Sequence, residues 1–93
     1  MLVHSEFVAL DPTQARFEII AAMQARAAQL RAVATHDIMK TELAEATSAL
    51  NLARHELEAC ASMSVPFASI DRMIGVPSIR IRMVAEALGC PGL

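Results

Sequence analysis

A chain of 93 residues makes one small domain, or one small module with an extension, and at this size only about 60–65% of the unfolded surface is buried, so the core is marginal. Three Phe with neither Tyr nor Trp, against an abundance of the strong helix formers Ala, Leu and Met, point to an all-α protein whose thin core calls for dimerisation. The net charge of −2 is not that of a strongly basic nucleic-acid binder, no apolar run reaches the ~20 residues of a membrane span, and two cysteines without metal or redox spacing, Cys60 and Cys90, do not make a secreted disulfide framework; a cytoplasmic protein with free thiols is expected.

Residues 1–10 lack the basic n-region and long apolar h-region of a signal peptide. They read as an apolar arm, with Leu2, Val3, Phe7, Val8 and Leu10 available to pack on a partner, to form a short strand, or to remain a partly ordered terminus. Asp11-Pro12-Thr13-Gln14 is a helix start: Asp11 can cap, Pro12 suits the first helical position and Gln14 completes a capping box. From there to Pro66 the chain contains no Gly or Pro.

The apolar spacing organises that long stretch, 11–62, as a helical dimerisation region. Ile20, Met23, Ala27, Leu30 and Ala34 alternate steps of three and four, and so do Met39, Leu43, Ala46, Leu50, Ala53, Leu57 and Cys60. The two seams are out of phase, because Ala34 to Met39 is a step of five, and Thr35-His36-Asp37 between them are poor helix formers of which Thr35 or Asp37 could cap a new helix. This favours a helical hairpin turning near Ala34–Asp37 over one continuous coiled-coil-like helix. The seams pack on each other within the chain or across a homodimer, for which Ile20, Met23, Leu30, Met39, Leu43, Leu50 and Leu57 are the candidate dimerisation residues.

Ser62-Met-Ser-Val-Pro66 ends the helical region, since Pro66 disfavours helical geometry at Val65. In residues 63–93 a short helix is expected over roughly Phe67–Ile74, a turn at Gly75, and a last helix over roughly Pro77–Leu88, stopped by Gly89 and Pro91. Ile70, Ile74, Val76, Ile81 and Val84 would lock the two helices at a fixed angle around Gly75. That is a helix-turn-helix pattern, and it leaves Ser78, Ile79, Arg82 and Met83 outward, with Arg80 at the flank.

The segment Ile70-Asp-Arg-Met-Ile-Gly-Val-Pro-Ser-Ile-Arg-Ile-Arg-Met-Val84 resembles the helix-turn-helix of bacterial and phage repressors and of the promoter-reading domain of sigma factors. The resemblance covers about the last 35 residues of the chain. It implies binding of double-stranded DNA by the helix that begins at Pro77, with Ser78, Ile79, Arg80, Arg82, Met83 and Arg72 as the contacts. Asp71 stands where such motifs commonly have Ala, so its carboxylate is expected to lean outward or to pair with Arg72 or Arg80.

Charge partitions along the chain: five Lys/Arg face eight Asp/Glu through Ala61, and three face two from Ser62 onward. Three arginines make few phosphate contacts, so DNA binding would depend on a dimer. His55-Glu56-Leu57-Glu58-Ala59 begins like a zinc-protease His-Glu-x-x-His but lacks the second His; His55 and Glu58 read as a solvated pair on one helix face. No phosphate loop, metal cluster or catalytic constellation is visible, so no enzyme activity and no cofactor is expected. The sequence therefore supports a homodimeric DNA-binding regulator of bacterial or phage style, with a helical protein-binding adaptor or inhibitor as the alternative.

Overall fold

The computed structural model describes residues 11–60 and 67–90, which form three helices: α1 (Pro12–Val33), α2 (Asp37–Cys60) and α3 (Ala68–Ala87). The expected N-terminal arm and the Ser62–Pro66 boundary lie outside the described residues. The fold is all-α, and its first two helices are the hairpin that the break in phase favoured.

Local chemistry sets the ends of α1. Asp11 accepts a hydrogen bond from the Thr13 amide (3.0 Å) with Pro12 in the first turn, so one of the orphan donors of the helix start is satisfied. At the other end Ala34 is extended (φ −68°, ψ 136°) while its amide still donates to the Leu30 carbonyl. Three residues, 34–36, then reverse the chain. The first helical bond of α2 runs from the Lys40 amide to the His36 carbonyl (3.1 Å), so His36 holds the cap position expected of Thr35 or Asp37, and Asp37 lies in the first turn, where its negative charge complements the helix dipole.

The third helix corrects the expected division of the C-terminal segment. There is no turn at Gly75: one helix runs from Ala68 to Ala87, with Gly75 and Pro77 inside it. Gly75 does not adopt positive φ; among the described residues that is found at Gly89 (φ 73°). The buried face explains the continuity. Ile70, Ile74, Pro77, Ile81 and Val84 alternate steps of four and three and are all buried, so an unbroken helix keeps a single apolar seam against its neighbours. Bending at Gly75 would take the second half of that seam out of phase. A mid-helix Gly costs about 1 kcal/mol and a mid-helix Pro about 3 kcal/mol. Burial of Ile70, Ile74, Ile81 and Val84 returns about 1.5–3 kcal/mol each, which is the larger sum. Pro77 has no amide to donate towards Met73, but its ring is fully buried in the core.

The expected stop at Gly89 is present, while Pro91 lies outside the described residues. The Gly89 amide donates to the Glu86 carbonyl (3.1 Å) and the Cys90 amide to the Ala85 carbonyl (2.8 Å). With Gly89 at positive φ, this is a Schellman cap.

All three helices share one core. Ile20, Leu30, Leu43, Leu50, Leu57, Ile70 and Ile81 are fully buried, and Ala27, Ala46, Ala53 and Ala85 lie between them, where their small side chains let the helix axes approach. Helix α3 packs chiefly on α2 and less on α1. The residues expected to pair two chains are therefore spent inside one: Ile20, Leu30, Leu43, Leu50 and Leu57 are fully buried in the single chain, and Met23 and Met39 pack against the same core. The reason is the third helix, whose seam covers the one formed by α1 and α2.

Candidate interaction surface on the third helix

Helix α3 is held at its start by a contact that joins it to the start of α1. The Arg16 guanidinium donates to both Asp71 oxygens, Nε to Oδ1 at 2.7 Å and Nη2 to Oδ2 at 3.0 Å, and its third nitrogen donates to the Pro12 carbonyl at 3.1 Å. The same guanidinium lies 4.0 Å from the centre of the Phe67 ring, a cation–π arrangement. The two-pronged hydrogen bond from Arg16 holds the Asp71 carboxyl below its ordinary pKa and raises that of Arg16. Asp71 thus pairs with Arg16, not with Arg72 or Arg80. The residues are 55 apart in sequence, so no local pattern announces the pair.

Once α3 is one helix, the residues expected to form a reading head take new places. Ile70, Ile74, Ile81 and Val84 remain core, as expected of the motif. Val76 does not: it is 56% exposed, and Pro77 takes its place in the core, because position 76 lies on the opposite side of the helix from the seam. Ser78 and Gly75 are half-buried at one flank. Arg72 and Arg82 are exposed. Arg80 turns towards α2, where its guanidinium lies 3.5 Å from Glu45 and 3.9 Å from Glu42.

The middle of the outward face is apolar, between the exposed charges of Arg72 and Glu86. Val76 (56% exposed), Ile79 (54%) and Met83 (64%) follow one another at steps of three and four, which places them in one row along the helix. Ile38, at the start of α2 and 78% exposed, adjoins the end of this row. It shares a shallow groove of about 360 Å³ with Met39, Met83 and Ala87, bordered by Glu42 and Arg80. Single exposed apolar residues are ordinary on a protein surface, whereas a contiguous row makes this face the candidate contact surface. The row extends at both ends to charge: Arg72 lies four residues before Val76, and Glu86 three after Met83. Ile38 and Val76 were not read as surface from the sequence. The signal that finds Val76 is the seam itself, since the steps Ile70–Ile74–Pro77–Ile81–Val84 leave 72, 76, 79, 83 and 86 on the other side.

Elsewhere, His55 Nδ1 lies 3.3 Å from Glu58 on the exposed face of α2, with Arg54 at 3.9 Å from the same carboxylate. Cys60 and Cys90 are free thiols packed at the edge of the core. Among the described residues no three His, Cys, Asp or Glu side chains gather to hold a metal ion, and no helix is long and apolar enough to cross a membrane. Comparison of the chain with protein-family models, with curated proteins and with solved structures finds no match.

Proposed function

We propose that this chain is a small helical protein-binding module and that the outward face of α3 is its docking surface. The observation that carries the reading is the row Val76, Ile79 and Met83 on the solvent side of a helix whose other side is buried. An apolar row on a fixed helix fits the groove or helix face of another protein, with anchors at helical spacing, and Met83 adds an adaptable contact. The charge pattern favours this over DNA. Arg80 faces Glu42 and Glu45, Asp71 and Glu86 lie on the same helix as Arg72 and Arg82, and the whole chain is acidic, so the phosphate-neutralising term of nucleic-acid binding is small.

The test compares wild type with an Ile79→Ser/Met83→Ser double variant as baits in a nuclease-treated lysate of the source cells, with circular dichroism confirming that both are folded. The wild type is expected to retain protein that the variant loses. Equal capture by both, or retention of duplex DNA with a steep salt dependence that is lost in Arg72→Ala/Arg82→Ala, would overturn the reading in favour of another surface or of DNA.

A further inference from the structure

We infer that the docking face of α3 binds a second copy of this chain, α3 against α3 in antiparallel orientation about a two-fold axis at Ile79. The inference rests on the reading of that face as a docking surface and adds the identity of the partner. It comes from the order of side chains along the exposed row: Arg72, Val76, Ile79, Met83 and Glu86. Arg72 lies seven residues before Ile79 and Glu86 seven residues after it, two helical turns in each direction. In an antiparallel pair centred on Ile79, each Arg72 therefore meets the second copy's Glu86, and two opposite-charge contacts form at once. Ile79 meets its own counterpart at the axis, and Val76 of each chain lies beside Met83 of the other. A two-fold interface must be self-complementary in this way, with the same patch serving both partners.

The alternatives fit less well. A parallel pairing in register sets Arg72 on Arg72 and Glu86 on Glu86, which is repulsive at both ends. A partner with a plain apolar groove leaves the two terminal charges without a role. Ile38, next to Met83 across the shared groove, widens the apolar area that the second copy covers. The surface used is distinct from the core seam of α1 and α2, so pairing requires no opening of the single-chain fold.

Charge exchange between the two ends of the row tests the register. By sedimentation equilibrium from micromolar to millimolar concentration, the wild-type chain is expected to associate reversibly to a dimer. Arg72→Glu alone, or Glu86→Arg alone, places like charges at both ends and is expected to weaken self-association by about tenfold. An equimolar mixture of those two variants restores complementary ends in the mixed dimer, and so does the double variant Arg72→Glu/Glu86→Arg; both are expected to associate like wild type. Ile79→Glu sets two carboxylates face to face at the axis and is expected to abolish the dimer while the helical signal stays intact. A monomeric wild type across the range, or a dimer that the mixture does not restore, overturns self-pairing in this register. The docking face itself stands or falls separately, on whether a folded Ile79→Glu chain loses capture of other proteins that a monomeric wild type retains.

Discussion

Gly75→Ala separates a continuous α3 from two helices joined by a turn. In the structure Gly75 lies in the interior of α3 without positive φ, and a Cβ added there meets nothing within 4 Å. The substitution therefore creates no clash and leaves the backbone unstrained. What it changes is helix propensity, by about 1 kcal/mol between Gly and Ala in a helix interior, of which part acts by reducing the freedom of the unfolded chain. A stabilisation of about 0.5–1 kcal/mol is expected, equivalent to about 3–6 °C in Tm for a chain of this size. Urea unfolding followed by circular dichroism at dilute protein, where association does not contribute, reads the difference directly. A tight turn built on glycine with positive φ gives the opposite sign, because Ala in that conformation is strained. Destabilisation by about 1 kcal/mol or more would refute the continuous helix and return the segment to a helix-turn-helix.

Three further outcomes follow from particular contacts. Val76→Ser is expected to change stability by less than about 0.5 kcal/mol, as for an ordinary surface site, whereas Ile74→Ala two residues earlier removes a buried side chain and costs about 2–5 kcal/mol in the same urea assay; equal costs would contradict the assigned faces. Gly89→Ala is expected to destabilise by about 1 kcal/mol, since Gly89 closes the cap at φ 73°, and an unchanged midpoint would mean that the cap is dispensable. For Asp71, the folded-state pKa lies below the ordinary carboxylate value, so its ion pair adds stability that is fully present above about pH 4–5 and is lost as pH falls through the carboxylate range. The Tm gap between wild type and Asp71→Asn is accordingly expected to shrink on acidification, and a gap that is constant or widens at low pH would remove the Arg16 contact from the account.

Much of the fold was legible in the sequence because it is written in local chemistry. Asp11-Pro12 marks the start of α1, the step of five between Ala34 and Met39 marks the turn, and Gly89 marks the last stop; each acts over a few residues, and each occurs where expected. Helix α3 is not legible as one helix because two local signals oppose one longer one. Gly75 and Pro77 are both breakers in isolation, and a glycine between two short apolar groups is also the mark of a helix-turn-helix. The heptad Ile70–Ile74–Pro77–Ile81–Val84 passes through both, but it becomes decisive only when α2 supplies a surface for it to bury against, which is tertiary information. The same missing partner explains the assignment of Leu43, Leu50 and Leu57 to a dimer interface: a seam identifies itself in sequence, and what covers it does not. The clamp of Arg16 on Asp71 and Phe67 joins residues far apart along the chain and has no sequence signature.

The docking face on α3 is tested most directly by an assigned amide correlation spectrum of the wild-type chain, recorded by NMR over a dilution series. Concentration-dependent shifts are expected along Arg72, Val76, Ile79, Met83 and Glu86 and at neighbouring Ile38, with Leu43, Leu50 and Leu57 unmoved in the core. Shifts clustered on the α1–α2 surface would contradict the account by placing the contact elsewhere, and a spectrum that does not change up to millimolar protein would contradict pairing between copies of the chain.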